Sequence, residues 1–314
     1  MGAAALTGAA SSARAQSWPS RPVRIIVPFQ PGGSTDIFAR LAAQKLADHF
    51  GKQFYVENVA GATGNVGTAQ AARAAPDGHT LLIAFSSYVV NPTLFAKLPF
   101  DPDKDFAPVT LAVVAPNLVT VNPSLPVRDL KELVALIKSN PGKYSYTSGG
   151  VGTQAHLLGE MLRLSQGLDI VHVPYNGAAP AIASAVAGHT PIAWSTIASA
   201  LQALEAGQLR PLAVASKRRS QLLSGVPTTA EAGYPDIEGD SWVGLLAPAG
   251  TPDEIVSAVQ RQIAKIIALP DVKERLPVLG FEPVASTPEE FAARIKIETE
   301  TWGKVIRAAN IKPE

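Results

Sequence analysis

Short, nearly continuous apolar runs alternate along this chain with segments whose apolar residues recur at helical spacing. Val23-Arg24-Ile25-Ile26-Val27 is β-branched almost throughout, the pattern of a strand covered on both faces. It runs into Pro28-Phe29-Gln30-Pro31-Gly32-Gly33-Ser34-Thr35-Asp36, and then into a stripe of Ile37, Phe38, Leu41, Ala42 and Leu46. The unit is strand, glycine loop, helix. Further strands are predicted at 81–85, 109–114, 118–121, 170–173, 212–215 and 242–246. Such alternation predicts α/β units built on parallel sheets.

A second copy of the same unit lies in the middle of the chain. Lys143 to Ser148 reads as a strand, Gly149 to Thr153 as a loop, and Gln154 to Leu162 as a helix. Strands flanked by proline near 109–123 and 241–252 bracket this region, so the chain is expected to leave one lobe and return to it. The division expected is 18–121 with 246–314 for the first lobe and 122–245 for the second. Near the C-terminal end, Thr251-Pro252-Asp253-Glu254 and Thr287-Pro288-Glu289-Glu290 each predict a capping box at a helix start. The last helix carries Phe291, Ile295, Trp302 and Ile306 on one face, with Trp302 read as a packing anchor.

Composition narrows the function classes. Across 314 residues, 27 Lys and Arg balance 26 Asp and Glu, leaving +1, and aromatics are 6%. A nucleic-acid partner is therefore not expected, because phosphate neutralisation needs a basic surface. The absence of cysteine removes disulfides, thiolate nucleophiles and sulfur-held zinc. No stretch reaches the roughly 18 uncharged apolar residues of a membrane span. Residues 1–15 are small and mostly apolar, and Ala13-Arg14-Ala15 has the small-x-small form of a signal-peptidase site. They read as a residual signal peptide and predict export.

The two loops carry the candidate chemistry. Glycine at a strand-to-helix turn lets backbone approach a ligand closely, and the free N–H groups of a first helical turn attract an anion. Neither loop holds Lys or Arg. Neutral donors and helix dipoles, each worth about 0.3–2 kcal/mol, suit one carboxylate better than a polyphosphate. Gly150-Val151-Gly152-Thr153-Gln154-Ala155 fits a dinucleotide fingerprint, but the acid expected after the next strand is missing. Gly61 to Thr68 lacks the lysine of a phosphate loop and reads as a structural turn. No G-x-S-x-G elbow occurs, and the five histidines show no metal spacing. No cofactor, metal or catalytic residue is therefore expected, and an enzyme that processes carboxylates is the competing reading.

Pro28 to Asp36, Val56-Glu57-Asn58 with Gly61-Ala62-Thr63-Gly64-Asn65, Ala75-Pro76-Asp77-Gly78, Asn91-Pro92, Val171-His172-Val173-Pro174-Tyr175 and Trp242 to Pro248 resemble the Bug family, the tripartite tricarboxylate transporter substrate-binding proteins. The resemblance spans 18–311. It implies an α/β, two-lobed periplasmic binding protein of type II fold, monomeric, closing on an organic anion for a membrane permease or serving as a sensor. It also implies that a small organic carboxylate meets the first loop at Phe29, Pro31, Gly32, Gly33, Ser34, Thr35 and Asp36. In the second loop the implied contacts are Ser148, Gly149, Gly152 and Thr153, with the hydroxyls of Ser148 and Thr153 clasping a carboxylate. Ser87, His156, Trp194 and Ser195 complete the expected site. Asp36 could equally cap its own helix, His156 could orient its loop, and Trp194 could pack or form an aromatic wall. Where the family commonly carries an acid this chain has Ser195, which cannot pair with a ligand ammonium. A ligand without an amino group is expected, an aromatic acid among the candidates, with an aspartate- or glutamate-like ligand as the alternative.

Overall fold

The computed structural model describes residues 18–308 and 310–313. The predicted signal peptide, 1–15, lies outside the described residues. In chain order the elements are β1 (Val23–Val27), α1 (Ser34–Phe50), β2 (Phe54–Asn58), α2 (Asn65–Ala72), β3 (Thr80–Phe85), α3 (Ser87–Leu94) and β4 (Phe106–Ala115). They continue with β5 (Asn117–Val121), α4 (Leu130–Lys138), β6 (Ser145–Ser148), α5 (Gln154–Gln166), β7 (Val171–Pro174), α6 (Ala178–Val186), β8 (Ile192–Thr196), α7 (Ile197–Glu205) and β9 (Arg210–Val214). The chain closes with β10 (Ser241–Pro248), α8 (Asp253–Ala268), α9 (Pro270–Val278), β11 (Glu282–Pro283) and α10 (Pro288–Ala308).

Two sheets form two lobes. The first has the order β11-β4-β10-β3-β1-β2 and the second β7-β6-β8-β5-β9. Each is covered on both faces. Ile25, Val27 and Ile83 pack under α1 and α8 on one side of the first sheet, while Ile26, Leu82 and Trp242 meet α3 and α10 on the other. Strands covered twice must be apolar at nearly every position, which is why β1 and β3 read as unbroken hydrophobic runs.

Neither sheet is purely parallel. β1 pairs in parallel with β2 and β3, and β6 with β7 and β8, but β10 and β5 run antiparallel to their neighbours. The reason lies in the connections. β4 ends at the cleft, the chain crosses at Pro116, and β5 starts at the cleft end of the other sheet, so it runs outward against β8. β10 returns in the same way.

Both sequence boundaries fall too late. Residues 117–121 belong to the second sheet and 241–245 to the first, so the crossings are at Pro116 and near Gly239. Asn117 ties them together, its Nδ2 donating to Gly239 O at 2.9 Å and to Ser241 Oγ at 3.0 Å. Apolar patterning cannot mark a crossing at which two buried strands are separated by one proline.

The helix starts divide as well. At Thr287 the capping box forms, with Glu290 N–H donating to Thr287 Oγ1 at 3.2 Å and Thr287 N–H to Glu290 Oε2 at 2.9 Å. At Thr251 it does not. The turn from Pro248 draws the Thr251 hydroxyl back onto Pro248 O at 2.7 Å, and α8 starts at Asp253 without a side-chain cap.

Candidate functional site

In the first lobe, β1 delivers the chain to the cleft and Gly33 stands in extended backbone before α1, with no side-chain cap. Ile37 N–H closes on Gly33 O, and Ser34 N–H donates across the cleft to Ser199 Oγ at 3.1 Å. Asp36 sits behind the loop. Its carboxylate accepts from Gly32 N–H, Arg40 Nε and Asn58 Nδ2, each at 3.0 Å, and pairs with Arg40 Nη2 at 2.9 Å. Burial pushes this carboxyl up, but the hydrogen bonds from Arg40, Gly32 and Asn58 outweigh it and leave it below its usual range. Asn58 also donates to Phe29 O at 3.0 Å, so one carboxylate and one amide set the path of the loop. Asp36 is thus fully engaged as a brace.

The second loop has the same backbone plan with other fastenings. Thr153 caps α5, accepting from His156 N–H at 3.3 Å and donating to Gly150 O at 2.8 Å. Ser148 Oγ accepts from Gly150 N–H at 3.3 Å and lies 2.7 Å from His172 Nε2. Gly152 N–H donates to His156 Nδ1 at 3.1 Å. The Ser148 and Thr153 hydroxyls, expected to clasp a carboxylate, each have an acceptor within the loop, Gly150 O, which makes them braces of the loop in this structure. His156 likewise orients the loop. Burial pushes its imidazole down to about 4, with Glu160 raising it and Arg163 lowering it. His172, stacked on it with ring centres 4.0 Å apart, is pushed down to about 2, by burial and then by His156.

The loops meet at a small inner compartment of about 40 Å³. Phe29, Gly33, Ser34 and Thr35 line it from one lobe, Gly149, Thr153, Ala178, Ser195 and Ser199 from the other, with Phe85 as an apolar wall. The N-termini of α1, α5, α6 and α7 all converge there. Among the described residues, the N–H groups of Thr35 and Asp36 in α1 and of Gln154 and Ala155 in α5 find no protein acceptor, and Ser195 Oγ is buried without a partner. An outer compartment of about 410 Å³ shares Phe29 and Gly149 with it and is walled by Gly61 to Gly64, Phe95, Val151 and Pro174 to Asn176. None of the residues lining either space is charged. Four dipole ends and unpaired donors around a lined, uncharged hollow can hold one anionic group without a cation.

The structure brings Phe29, Gly33, Ser34, Thr35, Gly149, Thr153 and Ser195 together. Asp36 lies behind the first loop and Ser148 and His156 behind the second, while Pro31, Gly32 and Gly152 line neither compartment, Gly32 facing Ala179 and Gly152 facing Leu94 of the opposite lobe. Ser87 is buried in the first turn of α3, off both compartments. Trp194 is packed into the second-lobe core with Tyr146 and Leu158, on the face of β8 opposite Ser195, so it is no aromatic wall. Asn117, Ala178, Thr196, Ser199 and Ser241 are site residues that sequence reasoning missed. Thr196 begins a strand-to-helix junction like the other two, capping Ser199 N–H at 3.2 Å, but without a glycine to advertise it. The Gly61 turn supplies a wall, and Thr63 Oγ1 donates across the cleft to Val151 O at 2.6 Å. The lobes are closed tightly enough that a Cβ on Gly152, where φ is +79°, would stand 2.5 Å from Leu94 Cδ2.

Comparison with known proteins agrees with this geometry. Residues 38–311 match the tripartite tricarboxylate transporter family receptor. The Bordetella pertussis protein BugT is 36% identical over 310 residues, covering 98% of this chain and 95% of BugT. R. palustris Rpa4515, solved with adipate, superposes with a TM-score of 0.92 at 34% identity, covering 95% of this chain and 100% of that one. MatC from Rhodopseudomonas palustris, solved with bound malate, gives 0.87 at 32% identity, covering 92% and 100%.

Proposed function

This chain belongs to the tripartite tricarboxylate transporter receptor family, a family of solute-binding proteins and not of enzymes, and from that premise we propose that it captures a small organic carboxylate in the periplasm for uptake. The carrying observation is the inner compartment, where four helix N-termini and the unpaired Ser195 hydroxyl surround a space with no charged lining. One carboxylate fits there between the first-turn N–H groups of α1 and α5. The rest of the ligand extends past Phe29 toward Phe95 and Tyr175, apolar surfaces that accept an aliphatic chain or a ring. No acid lines either space, so an ammonium group has no partner, and the ligand lacks one. The mechanism is closure without chemistry: each lobe supplies half the donors, and binding shifts the population toward the closed form. A membrane permease then reads that form.

A thermal-shift screen with adipate, malate and benzoate beside aspartate and glutamate tests this. A ligand that binds only the folded chain adds about 2.7 kcal/mol at one hundred times its Kd. The plain carboxylates are expected to raise the melting temperature. A rise with aspartate or glutamate alone would overturn the reading.

A further inference from the structure

Behind the second-lobe loop, away from the cleft, two histidine rings from different elements lie nearly parallel, 21° apart with centres 4.0 Å apart. Each fastens one end of the loop. His156 of α5 takes the Gly152 N–H on Nδ1, and His172 of β7 holds Ser148, whose oxygen accepts the Gly150 N–H. An Nδ1 that accepts carries no hydrogen, so His156 is held as the Nε2–H tautomer. We propose that His156 and His172 are positioning residues for the carboxylate loop, and that a proton taken up at His156 Nδ1 unfastens Gly152 and releases the ligand in acid. Protonation would set an N–H of the ring against the N–H of Gly152, two donors at 3.1 Å, and would put charge beside the stacked neighbour.

The surroundings make the rings titrate late without isolating them. Glu160, one turn along α5, favours a proton on His156, but it is engaged by Arg163 at 2.7 Å and by the Tyr146 hydroxyl at 2.7 Å. Tyr146 of β6 lies against His172 with ring centres 4.9 Å apart. Lys312, from the C-terminal segment, lines with both histidines a pocket of about 290 Å³ that opens to solvent and gives protons a path. For His156 burial outweighs the one carboxylate and Arg163 acts in the same direction as burial, and for His172 burial and then His156 act together, so both rings are neutral near pH 7.

The consequence for binding rests on the function proposed above; the brace itself rests on geometry and is tested without ligand. In the isotope-labelled full chain, followed by NMR from about pH 7.5 to about pH 3.5, the Gly152 amide and the His156 ring signals should move together, with a midpoint well below that of an ordinary histidine near 6.5. In His156→Asn the side-chain oxygen, borne on Cγ as Nδ1 is, still accepts the Gly152 N–H but takes no proton, so the amide should hold its neutral-pH position throughout. A His156 midpoint at the ordinary value with a silent Gly152 amide would overturn the proposal, as would a Gly152 titration unchanged in His156→Asn. Should that variant not fold, the wild-type titration alone decides. If no carboxylate raises the melting temperature while the two signals co-titrate, the function fails and the brace stands; if carboxylates bind and the amide is silent, the brace fails.

Discussion

The two cleft loops are built on one backbone plan, strand to glycine turn to helix N-terminus, yet are fastened by opposite chemistry. In the first lobe a single carboxylate, Asp36, gathers Gly32, Asn58 and Arg40. In the second, Ser148, Thr153, His156 and His172 share the work with no formal charge. The carboxylate gains from the positive end of α1 and from Arg40, but it stays behind the loop, so its charge does not repel an anion in the cleft at close range. Neutral rings need no counter-ion, but they are exposed to protons. Asp36 is held below the 3.8 of an ordinary aspartate, so its contribution is present above 3.8 and is lost only as pH falls through its lowered value. For His156 the folded value is about 4 against 6.5 unfolded, so its contribution is full above 6.5 and drains as pH falls from 6.5 through 4. Between those limits one brace loosens while the other holds.

The largest effect that would sharpen this contrast is the stability profile itself. The gap between 6.5 and about 4 corresponds to about 3 kcal/mol for His156, and His172, pushed lower still, drains over the same window, so urea unfolding should show a loss larger than that, and His156→Asn should reduce it by about 3 kcal/mol without abolishing it. Asp36→Ala should come next, costing about 2 kcal/mol at neutral pH, because the Gly32 N–H loses its acceptor while Arg40, mostly exposed, loses little. Denaturation at pH 7 checks this, and equal losses for Asp36→Ala and Asp36→Asn would break the account. Gly152→Ala should cost about 1–2 kcal/mol for its left-handed backbone, and Leu94 must also move, so X-ray scattering should report a more open molecule. Gly32→Ala meets Ala179 Cβ at only 3.3 Å and should pay the backbone term with little opening. Smallest is Ser195→Ala, which removes an unpartnered hydroxyl. Its melting temperature without ligand should not fall, while carboxylate affinity drops about fivefold, or about 1 kcal/mol, by titration calorimetry.

Much of this was legible from residues alone. The apolar runs of β1, β3, β4 and β5 are near-continuous because they are covered twice, and Gly32-Gly33 and Gly149 to Gly152 marked both halves of the cleft. Individual roles were less legible. Ser148 and Thr153 are the residue types that bind carboxylates and equally the types that cap and brace, and nothing local separates the two uses. Trp194 and Ser195 adjoin in sequence but face opposite sides of β8, one in the core and one in the cleft.

By itself the sequence determined the alternation of elements, the two glycine loops, the lack of a cation at either and the family, since all of these follow from residue type and local spacing. Tertiary structure alone decided where the chain crosses, which hydroxyls remain free, and that His156 and His172, 16 positions apart, share a stack. Those outcomes depend on which groups meet across sheets and lobes, and a hydrogen bond belongs to a pair, which no single position in the chain can specify.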